Sequence, residues 1–355
     1  MTGRGIDQVL AHSCPPHLYE PCATSALDYV ILAERVHGRI PRPLSPAGLW
    51  GDGREVLARE SPDVRIVNLE TSVALCEDAW PRHINYRMHP GNVGVLTELG
   101  IDCAVLANNH VLDWRTAGLL ETLDVLERAG VRVAGAGRDL AAASAPATIG
   151  TRAGGRVLVF AFGLTDSDIP PTWAADEALP GVHLLRDPSL ESVDRVAGLV
   201  RAAKRPGDIA VASIHWGGNW GYRIASHHRR LAHALIEHAG IDVVHGHSSH
   251  HPRAIEVYRG HPILYGCGDL LNDYEGIAGY EEYRPDLRLM YFPVLDAAAG
   301  VLVRLTMAPL RIGGFRLGRA EPSEVSWLRE RLNRECRRFG HAVTQEDDRL
   351  VLQWQ

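Results

Sequence analysis

The chain has 355 residues, enough for one large domain or two, and 46% of them are hydrophobic, ample for a sizeable core. A net charge of −6 lacks the concentrated basic surface that nucleic-acid phosphates demand, so no nucleic-acid partner is expected. No apolar run reaches the length of a membrane span and no signal-type stretch opens the chain, which predicts a soluble, cytoplasmic protein. Six cysteines without CxxC spacing disfavour both a zinc ribbon and a disulfide framework.

In chain order, a Pro-rich opening of about sixty residues surrounds an expected helix at Ala26–His37. From Val64 the pattern becomes rhythmic: Val64–Leu69 is β-branched, Val93–Leu99 reads as helix and Cys103–Leu106 as strand. Thr116–Ala129 carries Leu119, Leu120, Leu123 and Leu126 at helical spacing, and Val131–Ala134 is again strand-like. Val157–Phe162 (strand), Leu190–Ala203 (helix), Ile209–Ile214 (strand), His228–His238 (helix) and Val243–Val244 (strand) continue the alternation. Strands alternating with helices predict an α/β architecture. After about Ile255 strands follow without long helices, and Pro322–Phe339 is expected to close the chain as a helix. No Gly/Pro/Ser-rich linker divides the chain, so a single layered domain is expected, residues 1–318, with residues 319–355 as a helix and tail packed on it.

Metal-competent residues fall where these strands end: Asn68-Leu-Glu70, Asn108-Asn-His110, His215-Trp-Gly217, His245-Gly-His-Ser-Ser-His-His251 and Gly266-Cys-Gly-Asp269. Open α/β sheets bind ligands beyond the carboxyl ends of strands. A carboxylate, carboxamides and imidazoles without thiolate suit one or two Mn, Fe or Zn ions rather than a closed structural zinc site. Each element also has an ordinary structural use. The histidine string can be a surface loop, Glu70 a helix cap, Asn108 and Asn109 turn formers, His215 a packed ring, and Asp113 the N-cap of the helix through Thr116.

The series Asn68-Leu-Glu70, Ala107-Asn-Asn-His-Val-Leu-Asp113, Gly135-Ala-Gly137, Ser213-Ile-His-Trp-Gly217, Asp242-Val-Val-His-Gly-His and Ile255-Glu-Val-Tyr-Arg-Gly260 resembles the CapA family. That family is named for poly-γ-glutamate capsule synthesis and is similar in fold to calcineurin-like metallophosphatases. The resemblance covers roughly residues 1 to 318 and implies a four-layer αββα sandwich with a two-metal site at the strand ends. By position it implies metal ligation by Glu70, Asn109 and His215, with His110 as the proton donor to a leaving group and Asp113 orienting it. The family's Gly-x-His-x-His motif is displaced here, Ser248 and His250 standing at its two histidine positions, so His247 and His250 are expected to serve. Asp269 stands where the family has Asn, as a partner or a substitute ligand; with Arg4 and Asn68 it is a candidate to hold substrate.

Family members open with a strand ending Gly-Asp before a segment like Met1-Thr-Gly-Arg4. This chain begins at that segment, so the first β-strand and its aspartate are expected to be missing. The implied activity is metal-dependent hydrolysis of a phosphoester or related bond, possible amides included, through a metal-bound hydroxide, on an anionic small molecule or polymer. The alternatives are a non-hydrolytic accessory role in poly-γ-glutamate or other polymer biosynthesis, and a metal-depleted binding protein.

Overall fold

Strands buried on both faces must be apolar throughout, whereas strands with one wet face alternate. The computed structural model, which describes residues 1–354, uses both kinds in an α/β arrangement of parallel and antiparallel sheets. Ile66–Asn68 (β1), Cys103–Val105 (β2) and Arg132–Ala134 (β3) form a parallel three-stranded sheet with β2 in the middle. A seven-stranded sheet follows, from Ala147–Gly150 (β4), Arg156–Leu164 (β5), Leu184–Leu185 (β6), Ile209–His215 (β7), Val243–His247 (β8), Ile255–Tyr258 (β9) and His261–Leu264 (β10). Its order is β6-β5-β7-β8-β10-β9, with β4 antiparallel on the first half of β5. The central strand β7 is buried at every residue, which its sequence Ile-Ala-Val-Ala-Ser-Ile-His allows.

Strand side chains alternate between faces, and that period sorts the core. From β5 and β7, Leu158, Phe160, Phe162, Ala210, Ala212 and Ile214 pack on the helices Leu190–Ala203 and Ser226–Ala239. The opposite face puts Val159 and Ala161 against Cys103, Val105 and Ala107 of the smaller sheet, and Val211 and Val243 against Ile66. The far side of the smaller sheet (Ala104, Leu106) packs on the helix Arg115–Arg128 through Leu119, Val125 and Leu126. The two sheets therefore meet face to face with helices outside both, and the parallel strands β1, β2, β7 and β8 run so that their carboxyl ends open into the same cleft.

The third sheet is antiparallel: Leu287–Asp296 (β11), Val301–Gly313 (β12), Arg316–Arg319 (β13), Ala342–Glu346 (β14) and Arg349–Gln353 (β15), in the order β11-β12-β15-β14 with β13 also on β12. The closing segment differs from the single helix expected. The helix spans Pro322–Cys336 and a 3-10 turn takes Arg337–Phe339. Gly340, at φ +77°, then turns the chain into a hairpin. That hairpin adds β15 to β12 through Thr306 and Met307, so residues 319–355 supply strands as well as a helix. No helix among the described residues is long and apolar enough to cross a membrane.

Candidate functional site

The strand ends meet in the cleft between the two sheets. Because Ser213, His215, His245 and His247 pair in register on neighbouring parallel strands, all four project from one face, the face turned to the smaller sheet. His245-Gly-His247 is thus the end of β8 rather than a loop, and the turn begins at Ser248. Ser248 sits at φ +100°, strained for a residue with a side chain, and its Oγ donates to the Gly217 carbonyl at 2.8 Å. Gly246 is needed for close approach: a Cβ there would lie 2.5 Å from the Leu264 carbonyl and 2.7 Å from Trp216 Nε1.

Three hydrogen-bonded groups make up the cluster. In the first, Asn68 Nδ2 donates to Glu70 Oε2 (2.7 Å), while Asn108 Nδ2 donates to Asn68 Oδ1 (3.0 Å) and to the Leu69 carbonyl (2.9 Å). The second is a chain from Asn109 Oδ1 to His215 Nε2 (3.1 Å), from His215 Nδ1 to His247 Nδ1 (2.8 Å) and from His247 Nε2 to Ser213 Oγ (3.1 Å). The third joins His250 Nδ1 to both oxygens of Asp269 (3.0 and 3.2 Å), with Tyr274 OH 3.3 Å from His250 Nε2. Burial pushes His215 down to about 3, and drives His247 well below the ordinary imidazole range with help from His215 and His245. For His250 burial acts the same way, but the Asp269 carboxylate overrides it and raises the pKa. Burial would likewise raise Asp269, and His250 holds it low instead.

His110 and Asp113 stand beside this cluster, with Nδ1 2.7 Å from Oδ2. Burial drives His110 well below its usual range, with the Arg82 charge adding to it, and raises Asp113 well above its own. The Tyr86 N–H at 2.7 Å and the Arg82 guanidinium at 3.4 Å act against that rise by favouring the carboxylate on Asp113. Nε2 is left to face a cavity of about 920 Å³, whose wall includes Asn109, His110, Tyr86, Tyr274, Trp80 and Arg82. Asp113 does not cap the helix Arg115–Arg128; Trp114 occupies that position.

Two expected substrate groups are placed otherwise. Arg4 is buried at 4% exposure and fully engaged: Nε and Nη2 donate to Asp273 at 2.8 and 2.6 Å, Nη1 to Glu20 at 2.9 Å. Its guanidinium carbon lies 3.6 Å from the Tyr29 ring centre, and its bonds to Asp273 lock the N-terminal segment to the 269–274 loop. Asn68 is spent at both ends of its amide on Glu70 and Asn108, which makes it a positioning residue for Glu70. Asp269 is bound to His250 and to Asn272 Nδ2 (2.6 Å), as a partner of the imidazole. Arg223 is exposed. Tyr274 lines the cavity, whereas Trp220 stacks on Tyr280 (4.1 Å between ring centres) and flanks His251.

Arg82 escaped the sequence reading because nothing local marks it: its Nη1 donates to the Asn109 carbonyl across 27 residues. The donor chemistry of the cluster fits a borderline divalent ion, being buried neutral imidazoles with carboxylate and amide oxygens. Among the described residues, however, no three of its carboxylate and imidazole donors lie within 4.8 Å of one another; the group that does is Asp166, His227 and His228.

The sequence profile of the family described as bacterial capsule synthesis protein PGA_cap matches residues 1–274. The chain is similar to a probable polyglutamine synthesis accessory protein of Mycobacterium tuberculosis (strain CDC 1551 / Oshkosh), 49% identical over 353 residues that make up 99% of this chain and 93% of that protein. It is similar to the PGA biosynthesis protein CapA of Bacillus subtilis (strain 168), 30% identical over 192 residues, 54% of this chain and 48% of that one. With the capsule biosynthesis protein CapA of Bacillus anthracis it shares 23% identity over 274 residues, 76% of this chain and 62% of the other.

Proposed function

The chain belongs to the family of bacterial capsule synthesis proteins PGA_cap, and we propose that it is an accessory protein in the synthesis of poly-γ-glutamate or a related glutamine polymer. The observation that carries this reading is the near full-length similarity to a probable polyglutamine synthesis accessory protein. The two sheets packed face to face with helices outside both support reading the fold as the four-layer αββα sandwich of metallophosphatases. On this reading one or two Mn, Fe or Zn ions would be held by Asn109, His215 and His247 on one side and by Glu70 and His250 on the other. Such an ion supplies positive charge to the carboxylates of a bound polymer.

The chain's own residues do the rest. Asp269 orients His250, and Asn68 orients Glu70. Arg82 fixes the backbone at Asn109, and Trp80, Tyr86 and Tyr274 give the cavity an aromatic wall along which a polymer's methylene groups can lie. Deleting the gene in a host that carries it is expected to lower the glutamyl polymer content of the cells, with restoration by the wild-type chain but not by Asn109→Ala. Polymer content unchanged by the deletion contradicts the proposal.

A second reading, metal-dependent hydrolysis, is favoured by one observation: a buried His–Asp pair whose free Nε2 opens on the same cavity. There His110 would take up a proton at Nε2 from solvent and pass it to the leaving group, while Asp113 orients the ring through Nδ1. Turnover of bis-p-nitrophenyl phosphate with added Mn that falls about 10²–10⁴-fold in His110→Ala supports this reading. No turnover by the wild type removes it.

A further inference from the structure

We infer that Asp166, His227 and His228 form a second divalent-metal site, on the opposite face of the seven-stranded sheet from the strand-end cluster. His227 Nε2 and His228 Nε2 converge on one carboxylate oxygen, Asp166 Oδ2, at 2.9 and 2.7 Å. The other oxygen, Oδ1, accepts the Gly217 N–H at 3.1 Å, which fixes the carboxylate and leaves Oδ2 to the imidazoles. Among the described residues, this is the group of three whose ligand atoms all fall within 4.8 Å of one another.

The surroundings are built around the two rings. His228 is buried and stacks on Trp216, with ring centres 5.0 Å apart and planes 25° from parallel. Gly217, at φ +65°, lets the backbone pass where a Cβ would lie 2.9 Å from His228 Cε1. Strand alternation separates the two sites: His215 points into the cleft between the sheets, and Trp216, the next residue, packs with the helix layer on the other side. Asp166 and His227 keep 37% and 38% side-chain exposure, so water can complete the coordination sphere. Two imidazole nitrogens and one carboxylate oxygen with open positions are the donor set of an accessible zinc or manganese site. Arg253 donates to the Gly218 carbonyl and does not pair with Asp166. Ser167, the residue after Asp166, donates to the His215 carbonyl at 3.1 Å, so an ion here braces the strand end that carries His215.

Asp166 also meets the positive end of the helix Ser226–Ala239, an attraction that exists without metal, and the test separates the two roles. Untagged wild type, Asp166→Asn and His227→Ala are stripped by chelation and dialysed against buffered zinc. Zinc per chain is then measured by mass spectrometry, and melting temperatures are recorded with and without zinc. The wild type is expected to retain one equivalent more than either variant and to gain more melting temperature from zinc, while metal-free His227→Ala, changed at an accessible position, melts close to the metal-free wild type. Cobalt loading gives a second readout, a visible absorption component absent from His227→Ala. Equal zinc content and equal zinc-induced shifts in wild type and His227→Ala overturn the inference, whatever happens at the strand-end cluster or with polymer.

Discussion

A buried charge is tolerated only when its partners are built in, and Arg4 is the clearest case in this chain. With both Asp273 and Glu20 almost fully buried beside it, removing the guanidinium strands two carboxylates in the interior. Arg4→Ala is expected to destabilise the protein by about 3–5 kcal/mol in urea unfolding. A change within about 0.5 kcal/mol would mean that the ion pair is not formed in solution. Sequence reading placed Arg4 near substrate because its partner lies 269 residues away, beyond any local signal. Asp166 is hidden in the same way, 61 and 62 residues from the imidazoles it meets. Residues at strand ends were easier to find, since the run of apolar residues before them marks the place: Asn109, His215 and His247 fall into one hydrogen-bonded chain.

At the scale of elements, β7 and β8 carry the site because their register puts His215 opposite His247. Anything that spreads them shifts both rings. Gly246→Ala introduces a methyl group against the Leu264 carbonyl and Trp216 and is expected to cost about 1–3 kcal/mol of stability. The same variant should lose metal affinity at the strand ends, measured by competition with a chelating dye; unchanged affinity would show that register does not govern the site. Except for the short edge strands β4 and β6, the alternation of strands and helices was readable from apolar runs as far as β8. What failed there was a boundary: Val243–Val244 looked like the whole strand because His245 and His247 are polar, yet pairing with β7 carries the strand through them. Polar residues lining a cleft between two sheets break the continuous apolar pattern that betrays a buried strand.

For the whole molecule, the closing hairpin β14–β15 was the least legible part. In β14 only Val343 is buried, so its sequence Ala-Val-Thr-Gln-Glu carries no strong signal, and the hairpin is fixed by tertiary pairing of β15 with β12. That pairing has a consequence for the fold. Leu328, Leu332, Cys336, Val343, Leu350 and Leu352 share one core with Leu287, Leu305 and Met307. A chain ended at residue 319 should expose that core and aggregate, as read by size-exclusion chromatography; a monodisperse, folded product would show that the last 36 residues are dispensable.

We propose that the cleft between the two sheets is a cation-dependent site for an anionic glutamyl polymer. It is tested most directly by calorimetric titration of poly-γ-glutamate oligomers onto the untagged protein, with manganese present and after chelation, for wild type and Asn109→Ala. Saturable binding is expected, abolished by chelation and weakened on the order of tenfold or more by Asn109→Ala. Binding of equal strength with and without the ion, or no binding by the manganese-loaded wild type, would contradict it.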